Sequence, residues 1–260
     1  MLGAIALTLM GFTLGLLGAG GALLTLPILT LLWGIPASDA TGMSLFIIGS
    51  VSLAGALLEA KSGDLRLKRV LAIALPSLVT VALFRNVLVP ALPKSFSWGE
   101  MHLTLDRALG LGFGVVVLAA AFAMMRARKE SSQEPRLFQM VTRGVFVGAI
   151  SGTFGAGGGF MIVPVLRRSL QFPMRQAIAT SLGIITINSA VGVVAGLRTF
   201  PSGLWVKTLS ATAIALIGMA VGKAFQSKIP TSALQKAFLA LLLIVGIAML
   251  AINASASSIE

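Results

Sequence analysis

One ten-residue pattern occurs twice, and any fold must accommodate both copies. Gly18-Ala19-Gly20-Gly21-Ala22-Leu23-Leu24-Thr25-Leu26-Pro27 is matched, 137 residues later, by Gly155-Ala156-Gly157-Gly158-Gly159-Phe160-Met161-Ile162-Val163-Pro164. The same offset holds without a gap from Gly11 and Gly148 to Gly55 and Gly192. It aligns Gly15 with Gly152, Pro36 with Pro173, Ala40 with Ala177, Ser44 with Ser181 and Ser52 with Ser189. Apolar composition raises chance matches among Leu, Ile and Val; it does not align Gly, Pro and Ser. The chain is therefore two copies of one unit. Repeat 1 covers 2–127 and repeat 2 covers 140–254, joined by a charged linker, 128–139.

Each repeat holds four apolar blocks, near 2–33, 39–60, 67–92 and 105–127, then near 140–168, 176–198, 205–226 and 233–254. Most match the roughly 20 residues that cross ~30 Å of hydrocarbon. Charged residues make up 11% of the chain and mean hydropathy is +0.98, against about a quarter charged in soluble domains. The expectation is an all-α polytopic membrane protein. The apolar start from Leu2 lacks the basic segment of a signal peptide, and its partner lies mid-chain, so it belongs to the fold. The chain has no cysteine, which excludes disulfides, thiolate metal sites and iron–sulfur clusters. His102, the single histidine, has no cluster of ligands around it and reads as a surface loop residue. The net charge of +12 sits at block ends without interleaved aromatics, which suits cytoplasmic loops better than nucleic acid.

The first block of each repeat is too long for one crossing. Residues 2–33 would span about 48 Å at 1.5 Å per residue, and each arm on either side of the glycines is too short to cross. Two half-helices meeting at the glycines and returning to the same side, near mid-depth, resolve this. Such non-helical backbone is tolerated in a membrane only where protein or water covers it. The basic residues choose between topologies. If every block crosses once, they divide 11 to 9. If both first blocks are re-entrant, the clusters at 61–69, 126–143, 167–175 and 223–236 share one side, and the division is 15 to 5. The positive-inside rule selects the second: two inverted repeats, each a re-entrant helix hairpin plus three transmembrane helices, with basic loops cytoplasmic and both termini outside. Inverted repeats with broken helices are a recurrent plan of secondary transporters, with the substrate between the breaks.

Both glycine turns precede a half-helix, whose first N–H groups lack partners and carry the positive dipole end. Gly18, Ala19, Gly20 and Gly21 with Gly155, Ala156, Gly157 and Gly158 are thus candidates for a small anion. The bland alternative is close helix packing, which suits glycines at spacing four such as Gly11 and Gly15 better than consecutive ones. Thr41 and Ser44 in repeat 1, and Thr180, Ser181 and Asn188 in repeat 2, add candidate donors. Against them stands the habit of Ser and Thr to bond carbonyls of their own helix. Arg85, the most inward basic residue, is a candidate for an anion vestibule or for snorkelling to the interface. Asp39, Glu59, Asp64, Asp106 and the linker acids all sit at block ends, which argues against a cation substrate.

The doubled glycine–proline motif, a proline before the next helix and a Ser/Thr pair within it resemble the TauE/SafE family of sulfite-exporter-like permeases, over essentially the whole chain. Repeat 1 departs by carrying Met43 where Thr180 stands. The resemblance implies a bacterial inner-membrane exporter of sulfite or an organosulfonate such as sulfoacetate, working by alternating access. A passive anion channel and an uptake permease are the alternatives on the same scaffold. No cofactor is called for, and the partners are the anion and the lipid bilayer, with a homodimer compatible. An enzyme would need a nucleophile with a base, or a metal cluster, at mid-depth, and the sequence offers neither.

Overall fold

A computed structural model of the chain describes residues 2–61, 63, 65–88, 91–92, 95–98, 101–126, 135–154, 159–196 and 202–255. The first half opens with α1 (Leu2–Leu17), a tight turn over Ala19–Gly21, and α2 (Ala22–Pro27), which continues as a wider π turn through Leu32. Pro27 cannot donate to the carbonyl four residues back, and the helix widens directly after it. Then come α3 (Ala37–Lys61), α4 (Leu67–Leu83, extended as a π turn to Leu88), a ribbon of β1 (Ser95–Trp98) and β2 (Met101–Thr104), and α5 (Leu105–Met125). The two strands pair antiparallel and are the one departure from an all-α chain among the described residues; His102 is in β2, outside the helices. The second half is α6 (Leu137–Phe154), α7 (Gly159–Ser169), α8 (Met174–Gly196), α9 (Trp205–Gln226) and α10 (Thr231–Ser255). Five helices, within α3, α5, α8, α9 and α10, are long and apolar enough to cross a membrane.

The repeat is visible in backbone detail. The Ile35 N–H donates to the Leu29 carbonyl at 3.0 Å and the Phe172 N–H to Leu166 at 3.1 Å, the same bond 137 residues on. Ala40 to Pro36 at 2.8 Å and Ala177 to Pro173 at 2.9 Å repeat likewise. Even the left-handed residue before these prolines recurs, as Gly34 (φ 64°) and Gln171 (φ 54°). The first block folds as a hairpin. A Cβ added at Gly3, near the start of α1, would overlap the Trp33 indole at the end of α2.

Packing between the halves is reciprocal. α3 crosses α8 and α5 crosses α10, each helix meeting its own counterpart. α1 packs on α9 while α4 packs on α6, so first and third blocks exchange partners. Glycines make these contacts close. Gly11 and Gly15 of α1 rest on the Ala215 and Met219 carbonyls of α9, and Gly148 of α6 rests on the Ser77 carbonyl of α4. Helices in lipid gain nothing from burying apolar groups against one another, so such backbone contact supplies the dispersion that holds them together. Leucine, isoleucine and valine instead cover the outer faces, as at Leu57, Val79, Ile217 and Ile244.

Hydrogen bonds tie the four basic clusters to one end of the bundle. Arg69 donates to the Gln176 side chain at 2.8 Å, with its guanidinium 4.9 Å from the Phe172 ring centroid. Arg175 reaches the Gln226, Ser227 and Ile229 carbonyls at 3.3–3.4 Å, where the end of α9 leaves carbonyls without helical partners. Arg168 donates to the Arg126 carbonyl. Buried Arg167 bonds the Phe172 carbonyl at 2.8 Å and Gln235 at 3.1 Å.

Candidate anion site at the glycine turns

The α1 helix ends with the Gly18 N–H bonded to the Leu14 carbonyl at 2.9 Å. Gly18 then adopts φ 76°, ψ −109°, a conformation open only to glycine, and turns the chain into Ala19–Gly21. A Cβ at Gly18 would lie 2.7 Å from Ser181 Oγ and 3.1 Å from Ile178. Gly20 faces Leu241, and Gly21 faces the Met10 carbonyl. These bare Cα positions are filled by protein, so the glycines let the turn be packed closely on every side. Any group left to meet a ligand is the backbone N–H, not the absent side chain.

The first turn meets the second half at the start of α7. Ala19 Cβ is 3.5 Å from where a Cβ would stand on Gly159, the first residue of α7, and the turn packs against α7 as a unit. Gly155, Ala156, Gly157 and Gly158 themselves lie outside the described residues. The first turn is nearer one end of the bundle than its middle. With Gly15 over Met219, Leu17 stands level with about Val221, roughly 7 Å short of the end of α9 at the helical rise.

Of the expected donors, Ser181 is brought against Gly18, fully buried, with its hydroxyl donating to the Ile178 carbonyl at 2.7 Å. Ser44, buried in α3, bonds the Thr41 carbonyl at 2.8 Å. Both thus follow the own-helix habit in this state. Thr180 is buried and Thr41 half-buried. Asn188 lies with its side-chain oxygen 3.4 Å from Ser77 Oγ, joining α8 to α4. Arg85 lies in the π turn ending α4, and its side chain is outside the described residues.

Three polar features escape a reading by motif. Thr25 and Ser52 are fully buried with hydroxyl oxygens lacking a hydrogen-bond partner. Thr25 replaces the Ile162 of the second copy, the one signal that could have marked it. The third is Glu59. It sits at a block end, as expected, yet is only 2% exposed and forms an ion pair with Lys223 of α9. Lys223 also donates to Gln226 at 2.6 Å, and Gln226 Nε2 donates to the Leu16 carbonyl at 3.3 Å.

Five helices long and apolar enough to cross a bilayer, packed through glycines, define a multi-pass membrane protein. A family model described as sulfite exporter TauE/SafE matches residues 3–249. The chain belongs to that family, whose members transport and do not catalyse reactions. It is 31% identical over 209 residues to "Probable membrane transporter protein MJ0441" of Methanocaldococcus jannaschii, covering 76% of this chain and 73% of that protein. It is 28% identical over 256 residues to "Probable membrane transporter protein YdhB" of Bacillus subtilis, covering 96% and 100%. A "Probable membrane transporter protein" of Xylella fastidiosa is 30% identical over 183 residues, covering 67% and 65%.

Proposed function

We propose that this transporter exports a small oxyanion or sulfonate, sulfite or a compound such as sulfoacetate, by alternating access between two inverted repeats. The anion is held by backbone N–H groups of the two glycine segments, those of Ala19–Gly21 in the first, where Gly18 makes the turn with its own N–H bonded to Leu14, and those of Gly155–Gly158 in the second, with Ser181, Ser44, Thr41, Thr180 and Asn188 around them. The observation that carries this reading is the approach of Ala19 to Gly159, which brings the start of α7 to the first turn. The reciprocal contacts between halves support a two-fold relation. The hydrogen bonds joining the four basic clusters support a single basic, cytoplasmic end. Hairpin 1 opens away from that end, and α7 ends at it, through Arg167 and Arg168. An inverted pair of this kind exchanges access by exchanging the conformations of its halves.

The test is flux into and out of proteoliposomes under imposed gradients of sulfite, sulfoacetate, sulfate and acetate. Saturable flux of a sulfur anion supports the reading. No movement of any of them removes it, and non-saturating flux with single-channel currents assigns a channel instead.

A further inference from the structure

We propose that Glu59 and Lys223, with Gln226, are the positioning residues that close the basic end of the transporter over the first glycine turn. Glu59 is in the last turn of α3 and Lys223 in the last turn of α9. Their ion pair fastens these two helix ends together, and Gln226 extends it to the end of α1 through the Leu16 carbonyl. Leu16 is two residues before Gly18, so the network clamps the helix end from which the turn departs. A carboxylate this buried is stable only while its partner is present, because removing one charge leaves the other without compensation in a poorly solvated place. An anion leaving the turn toward the basic end must pass this clamp, so opening that end separates the pair.

The repeat shows that the clamp belongs to one end alone. The packing of Gly11 on Ala215 and of Gly148 on Ser77 matches α9 with α4, and this register places Arg85 where Lys223 stands. The counterpart of Glu59 is Gly196, four residues after Gly192 as Glu59 is four after Gly55. At the equivalent positions the register keeps a cation, and a glycine stands in place of the acid. The aligned halves thus differ in the acid at this position, and closure of the basic end is assigned to it.

The inference rests on the alternating-access reading, and its test reads access without needing the substrate. The chain has no cysteine, so a single Leu17→Cys beside the clamp reports alone. A membrane-impermeant thiol reagent is applied to spheroplasts and to inverted vesicles. In Glu59→Gln or Lys223→Met backgrounds, modification from the basic end rises about tenfold or more, as loss of a buried pair implies. Gln226→Leu, which keeps both charges, gives a smaller rise. The exchanged pair, Glu59→Lys with Lys223→Glu, returns the rate toward the parent's. Equal rates in all backgrounds overturn the proposal. Equal acceleration from both ends, or no recovery in the exchanged pair, also overturns it by marking general loosening. Sulfite flux is measured separately. Labelling as expected without flux keeps the clamp and removes the carrier reading, whereas flux with unchanged labelling does the reverse.

Discussion

Leu182 of α8 fills the notch that Gly55 leaves in α3, with its Cδ1 3.0 Å from where a Cβ would stand. The contact recurs with the halves exchanged: Leu45 meets Gly192 at 2.9 Å. If residue i touches j in the other half and the counterpart of i touches the counterpart of j, the packing is self-complementary, as at an isologous interface. Gly55→Leu and Gly192→Leu should each destabilise the protein by about 1–3 kcal/mol through overpacking. Leu182→Ala should recover part of the first and nothing of the second; thermal unfolding of the single and double variants in detergent measures both.

Gly18 and Gly20 should respond differently to alanine. Gly18 has φ 76°, and its Cβ would press on Ser181 and Ile178, including the Ile178 backbone. Strain of this kind costs on the order of 1–3 kcal/mol. At Gly20 the Cβ would meet the end of the Leu241 side chain, which can turn aside. Gly18→Ala is expected to lower the melting temperature in detergent clearly more than Gly20→Ala. The reverse order would mean that the turn is not held as described.

The broken first block was legible because a straight helix of that length does not fit a bilayer, and glycine is the cheapest place to end it. The single basic end was legible because its charges are counted along the chain. Glu59 with Lys223 was not, because 164 positions separate them and neither stands in the doubled motif. The position of the first turn along the bundle was not legible either. It depends on the register of α1 on α9, set by where Gly11 and Gly15 find carbonyls. The buried hydroxyls of Thr25 and Ser52 are invisible to composition, since Ser and Thr in membrane helices ordinarily bond their own carbonyls.

Arg175 closes the end of α9 by donating to three carbonyls there. Arg175→Ala should cost about 1.5 kcal/mol, the low end for charge-assisted bonds, since these are long. Arg175→Lys should recover part of this, because all three contacts come from the single Nη2 nitrogen, whose place one ammonium can take. Chemical or thermal denaturation distinguishes the three proteins, and equal stability of Lys and Arg would show that charge at the helix end suffices.

Ser181→Ala separates site from scaffold better than a leucine at Gly20, which would collide with Leu241 and Phe238. The hydroxyl bonds within its own helix, so its loss should change stability by about 1 kcal/mol or less. If Ser181 also serves the anion, stabilisation by sulfite in a thermal shift should fall while the unliganded melting point holds. An unchanged sulfite response would assign Ser181 to packing around Gly18.

Sidedness decides whether the reciprocal packing is also inverted in the membrane. Ser227, at the end of α9, is exposed beside Arg175, and Gly203, before the start of α9, is exposed with open space around it. Since α9 is long enough to cross, the two positions belong to opposite faces. Single cysteines at 227 and 203 in this cysteine-free chain should be modified from opposite sides, 227 from the cytoplasm. A cysteine replacing Gly34, between α2 and α3, should then follow 203, because hairpin 1 returns to the end where it began. One replacing Arg168, at the end of α7, should follow 227. That pattern requires the first blocks of both halves to be re-entrant and opposed. If position 34 instead labels with 227, hairpin 1 crosses, the 15-to-5 division of basic residues loses its basis, and the clamp at Glu59 no longer has a defined side to close.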